Sequence, residues 1–166
     1  LLKSSTGGTT GLSLNLYRTY KSVILESIFI DNIFKKIGQL KKLRIAVLRG
    51  NKPTKGIYEF KNSTLLLSSY DLNIENTITY IKQIETYNIN CIHAYPTSIL
   101  IFCKYINSLG DSIKIPKIKG IITSSETISC QDKETILNTF KEATLIDIYG
   151  QNEHVALAYS INLEPY

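Results

Sequence analysis

The chain contains no methionine and opens on Leu1, so the expectation from the sequence is a fragment or a trimmed product. Cysteine is scarce: Cys91, Cys103 and Cys130 stand far apart with no Cys-x-x-Cys pair, which argues for reduced thiols rather than a disulfide framework. The two histidines, His93 and His154, fall at no metal-ligand spacing, so a structural zinc site is not expected. Glycine, proline and serine form no linker, and no repeat or low-complexity tract divides the chain. No apolar run approaches the roughly 18 residues of a membrane helix; the patch from Ile99 to Cys103 is broken at Lys104. The opening also lacks the charged-then-apolar order of a signal peptide. The expected compartment is therefore the cytoplasm, where the sequon Asn62-Ser63-Thr64 is coincidental.

What is present fits one globular domain. The length is 166 residues, with 43% hydrophobic and 20% charged residues. A net charge of +5 invites a nucleic-acid reading, but the lysines occur as scattered pairs such as Lys35-Lys36 and Lys41-Lys42. They form no stripe with interleaved aromatics, so no nucleic-acid partner is expected.

Periodicity places a strand at 12–19, where Leu12, Leu14 and Leu16 alternate with Ser13, Asn15 and Tyr17. A helix follows over 20–37, with Val23, Ile24, Ser27, Ile28, Ile30 and Phe34 as its apolar face and Gly38 at its end. Further strands are expected at 43–48, 57–60, 64–68, 91–94, 118–123 and 144–149. Asn73 is placed to cap a helix running to Tyr87, Pro96 to open one that Gly110 ends, and Ser129 with Asp132 to open a last one through Phe140. Strands alternating with helices imply crossover units, an α/β class and a largely parallel sheet. Ligands bind such sheets beyond the carboxyl ends of the strands. Two unusual strand ends would lie there, Thr123-Ser124-Ser125-Glu126 and Tyr149-Gly150-Gln151-Asn152-Glu153.

A third segment carries chemistry. In Ser5-Thr6-Gly7-Gly8-Thr9-Thr10-Gly11, glycines free the backbone to present successive N–H groups and the hydroxyls add donors, a composition that can wrap a polyphosphate. It is not a Walker loop, because Leu12 stands where the second glycine would fall. The alternative is a flexible Gly/Thr turn. At the other end, Tyr149 and Gly150 offer a ring and a close approach, and Glu153 is a hard oxygen ligand of the kind Mg²⁺ takes beside phosphates. Its alternative is a buried tyrosine, a turn glycine and a solvated carboxylate.

Taken together, the loop at 5–11, Ile121-Ile122-Thr123-Ser124-Ser125-Glu126 and Tyr149-Gly150-x-x-Glu153 resemble the adenylate-forming superfamily, over nearly the whole chain. Arg18-Thr19 before a long helix and Tyr95-Pro96-Thr97-Ser98 opening another are similar to its phenylacetate–CoA ligase and CapK-type capsular-polysaccharide branch. The resemblance implies a partial N-terminal adenylation domain of layered α/β architecture. It implies that Thr6, Gly8, Thr9, Thr10 and Gly11 contact the ATP β- and γ-phosphates, with Thr10 and Glu153 as the catalytic pair. Tyr149 would stack on adenine, Gly150 would lie beneath the α-phosphate and Glu153 would ligate Mg²⁺. Ser125 and Glu126 would border the adenine and acyl pockets, with a structural role for Glu126 as the alternative.

The implied activity is activation of a small carboxylic acid by ATP, followed by transfer to coenzyme A or another acceptor. Two positions depart from the pattern: Asn152 replaces the threonine that contacts the α-phosphate, and Ser13 replaces the proline after the loop. Asn152 can still donate a hydrogen bond. The sequence ends before the ribose-binding aspartate and the lid domain with its lysine, so the expectation is that this polypeptide alone does not complete a cycle. A non-catalytic module keeping the same fold is the alternative. His154 is expected to pack beside the site, and His93 to be a satisfied core residue.

Overall fold

The computed structural model describes residues 1–5, 14–38, 43–151 and 156–164. Short runs of aliphatic and β-branched residues between turn residues become the strands of the main sheet: β3 (Ile45–Leu48), β5 (Thr64–Leu67), β6 (Cys91–Ala94), β7 (Gly120–Ser124) and β8 (Thr144–Gly150). These five run parallel. Two antiparallel edge strands, β4 (Tyr58–Lys61) and β9 (Leu157–Ile161), complete the order β4-β5-β3-β6-β7-β8-β9. The expected α/β class with a largely parallel sheet is therefore what the chain adopts.

The edges are where the sequence reading fell short. Strand β9 had not been anticipated. The β4–β5 turn is made by Asn62 and Ser63, both at positive φ (50° and 64°), the backbone of a two-residue hairpin turn. The sequon is thus built into a turn. The strand expected at 12–19 is seen over its described part as β2 (Asn15–Arg18), outside the main sheet. It pairs antiparallel with another unforeseen strand, β1 (Leu2–Ser5), in register Ser5↔Asn15 to Leu2↔Arg18. The alternation expected there does not bury its leucines as drawn: Leu14 is 60% exposed.

Among the described residues four α-helices flank the sheet: α1 (Tyr20–Lys36), α2 (Ile74–Thr86), α3 (Pro96–Leu109) and α4 (Cys130–Thr139). Local chemistry sets their starts. The Asn73 side chain accepts the Asn76 N–H at 2.8 Å, and Ser129 with Asp132 forms a reciprocal capping box. Pro96 occupies the first turn of α3, where its missing N–H is no loss.

Because side chains alternate faces along a strand, the sheet separates two cores. Ala46, Leu48, Ile92, Ala94, Ile121 and Leu145 face helices α2–α4, together with Tyr80, Phe102 and Phe140. Cys91, Ile122, Ile146 and Ile148 face α1. Helix α1 meets them through Ile33 and Ile37, with Phe29, Ile30 and Phe34 alongside. The expected apolar face was therefore rotated: Ile24 and Ile28 are more than half exposed, while Ile33, outside that face, is 1% exposed. Apolar residues ring this helix, so period alone could not select the buried side. Gly120 is what lets α1 approach, since a Cβ there would fall 2.4–2.9 Å from the Ile37 side chain.

Candidate functional site

The carboxyl ends of β3, β6, β7 and β8 open to one edge of the sheet, where the segments that follow β7 and end β8 meet. Strand β7 ends on Ser124, after which Ser125 adopts φ 72°, a left-handed conformation that is costly for a residue with a Cβ. That turn sends Glu126 back toward α3. Its carboxylate accepts both the backbone N–H (2.9 Å) and the hydroxyl (2.7 Å) of Thr97, in the first turn of α3. Helix α3 has no side-chain cap of its own from Tyr95, and Glu126 supplies the missing acceptor at the positive end of the helix. Glu126 thus has the structural role weighed in the sequence, while still lining a cavity.

That cavity, of about 280 Å³, is lined by Ser125, Glu126, Thr127, Ile128, Tyr149 and Gly150 among others. Strand β8 delivers the last two. Below them Asp147 is buried and accepts the Thr123 hydroxyl at 2.6 Å, which ties β7 to β8 immediately under the site. Tyr149 is half exposed, and its hydroxyl accepts from the Gln151 amide at 3.1 Å. The phenol is held at its polar end while the ring remains open to solvent. A Cβ at Gly150 would stand 3.0 Å from a methyl of Leu157 on the neighbouring edge strand, so a side chain there would require Leu157 to shift.

A second cavity, of about 210 Å³, adjoins the first through Ser125, Ile148 and Gly150. It lies on the α1 face. Register explains its lining: Val47 pairs with His93, so Arg49, two residues on, emerges on the same face just past the end of β3. Arg49 Nη1 lies 3.0 Å from His93 Nε2, Nη2 donates to Ser125 Oγ at 3.1 Å, and the guanidinium stacks 5.1 Å from the Tyr95 ring centroid. Burial, with the adjacent guanidinium, lowers the His93 pKa from 6.5 to about 4. Neutral His93 therefore accepts through Nε2 and carries its proton on Nδ1. His93 had been expected in the core; its ring instead lines this cavity.

Of the expected site residues, the structure brings Ser125, Glu126, Tyr149 and Gly150 together at one edge. Thr6, Gly8, Thr9, Thr10, Gly11, Asn152, Glu153 and His154 lie outside the described residues. What is described near the loop is its frame, since the paired ends Ser5 and Asn15 hold the two sides of segment 6–14 next to each other. Among the described residues no group of three or more His, Cys, Asp or Glu side chains could hold a metal. No helix among them is long and apolar enough to cross a membrane. Sequence reasoning missed Arg49 and His93. The usable signal was positional: each sits at the carboxyl end of an apolar run, with the parity that faces α1.

No protein-family model matches the sequence, and no curated protein matches it. Solved structures do. The luciferase-like enzyme from the nonluminescent Zophobas morio mealworm matches with a TM-score of 0.60 and 16% identity, covering 96% of this chain and 36% of that one. A long-chain-fatty-acid–CoA ligase from Archaeoglobus fulgidus matches at 0.61 and 14%, covering 91% and 31%. MbtA from Mycobacterium smegmatis matches at 0.57 and 12%, covering 98% and 29%. The chain spans 29 to 37% of the length of such structures. At these identities the likeness is one of fold alone, a layered α/β arrangement that this chain shares with part of each of those structures.

Proposed function

We propose that this chain is part of an AMP-forming carboxylate ligase, in which ATP and a carboxylic acid meet at the carboxyl edge of the sheet. The observation that carries the reading is the convergence of Ser125, Glu126, Tyr149 and Gly150, drawn from two different strands, around one cavity at that edge. The fit to a nucleotide is chemical as well as positional. A half-exposed ring, anchored at its hydroxyl, offers a face for adenine to stack on. Beside it, Gly150 presents backbone with no side chain to obstruct a phosphate.

In this reading Thr6, Gly8, Thr9, Thr10 and Gly11 hold the β- and γ-phosphates from the loop between β1 and β2. Asn152 donates to the α-phosphate. Glu153 would hold Mg²⁺, which supplies neutralisation of charge on the phosphates and keeps most of its waters. A carboxylate oxygen of the acid attacks the α-phosphorus. A new P–O bond forms to the acid, the bond to the β-phosphate oxygen breaks, and pyrophosphate leaves with the electron pair. No proton transfer is needed, so the residues act by positioning and by neutralising developing charge. The acyl-adenylate then passes its acyl group to coenzyme A or another acceptor, as in the phenylacetate–CoA ligase and CapK-type branch that the sequence resembles.

Acid-dependent exchange of labelled pyrophosphate into ATP, measured on the complete gene product, tests the reaction. Exchange that requires an added carboxylic acid and is lost in Thr10→Ala supports it. ATP bound in the absence of exchange with any acid would instead leave a nucleotide-binding module of the same fold.

A further inference from the structure

Arg49 has no part in the chemistry above, yet it stands at the switch point of the sheet. The chain adds β5 on one side of β3 and β6 on the other, and open α/β sheets take ligands where the order divides in this way. The guanidinium is held from three sides by His93, Ser125 and Tyr95. Those partners are a neutral ring nitrogen, a hydroxyl and an aromatic face. They orient the cation without neutralising it, and among the described residues no carboxylate forms an ion pair with it. Arginine stays charged under all ordinary conditions, and a partly buried charge left uncompensated is costly. Among the described residues its enclosed Nε meets no acceptor, and the two bonds made by Nη1 and Nη2 leave further donors of the planar fork unused. A pre-oriented, unneutralised guanidinium on a cavity is the geometry for capturing an oxyanion.

The geometry points to Arg49 as a recognition residue for a second carboxylate on the acid substrate, making that substrate a small dicarboxylic acid. The inference rests on the proposed ligase reading. The two cavities adjoin over Ser125 and Gly150. A ligand with one carboxylate at Arg49 can therefore extend its other toward the nucleotide cavity. The carboxylate that attacks phosphorus is a poor partner for Arg49, because a tight charge clamp there would stabilise the ground state more than the transition state. The polar lining selects against long apolar chains. The volume is about 210 Å³, and Glu26 of α1 together with Arg49, His93, Ser124, Ser125 and Gln151 makes most of the wall polar.

Calorimetric titration of the chain with succinate, with its neutral diamide succinamide and with Mg·ATP, repeated on Arg49→Gln and Arg49→Lys, tests this. Succinate is expected to bind at least about tenfold more tightly than succinamide, the low end for a charge-assisted hydrogen bond. Arg49→Gln should erase that preference without changing ATP affinity, and Arg49→Lys should retain part of it. No preference in the unaltered chain, or a preference that survives Arg49→Gln, overturns the inference. So does a loss of ATP rather than succinate binding in Arg49→Gln, which would make Arg49 a phosphate ligand. Arg49-dependent succinate binding without ATP binding would keep the anion subsite and remove the ligase reading.

Discussion

The His93–Arg49 contact makes the stability of this protein depend on pH in a window where few other groups titrate. In the unfolded chain His93 takes up a proton near its ordinary value of 6.5, whereas in the folded protein burial and Arg49 hold protonation off until about pH 4. Between those values the unfolded state binds more protons, so the contribution is fully present above pH 6.5 and is lost as pH falls toward 4. Integrated from pH 7.5 to 5, the difference is about 2 kcal/mol. For a chain of this size that corresponds to a drop in Tm of about 4–8 °C. Glu59 and Glu142 titrate below this interval. Thr54 donors hold Glu59 below its ordinary value, and lysines, Lys119 foremost, do the same for Glu142. Thermal unfolding followed by circular dichroism at half-unit steps, on the native chain and on His93→Gln, measures the effect. Glutamine can still accept from Arg49 Nη1 but does not titrate. The native chain should lose stability toward pH 5 and His93→Gln should lose about 2 kcal/mol less. Equal slopes in the two proteins would refute the assignment of His93 as a neutral acceptor.

Three further substitutions probe the framework. Glu126→Ala removes the acceptor for both Thr97 donors at the start of α3 and should cost about 1–2 kcal/mol by urea unfolding, with Glu126→Gln retaining part of it. Gly120→Ala should destabilise by about 1–3 kcal/mol, because its Cβ would press on Ile37, and Ile37→Ala in the same chain should recover part of the loss. Phe102→Ala empties a fully buried position between Tyr80 and Phe140 and should cost about 3–5 kcal/mol in the same assay.

The elements that the sequence announced are those defined by their own residues. Asn73, Pro96 and the Ser129/Asp132 pair act within a turn of where they stand, so the starts of α2, α3 and α4 could be read directly. The buried central strands were equally plain as short aliphatic runs. Strands β1 and β9 were hidden because an edge strand is decided by its partner: Leu2-Lys3-Ser4-Ser5 has no strand pattern of its own until β2 pairs with it. The same distinction divides the site. Ser125, Glu126, Tyr149 and Gly150 could be singled out because each belongs to a local motif at a strand end. Arg49 and His93 are 44 positions apart and meet only through the parallel register of β3 and β6, so neither carried a motif to notice.

The central claim is that a nucleotide occupies the carboxyl edge of the sheet beside Tyr149. Calorimetric titration of Mg·ATP into this chain and into Tyr149→Ala tests it most directly. Binding to the native chain, weakened by about tenfold or more when the stacking ring is removed, is the predicted result, since base–aromatic stacking contributes roughly 1–3 kcal/mol. A cooperatively folded chain that takes up no Mg·ATP, or one that binds it equally well without the Tyr149 ring, would contradict the account.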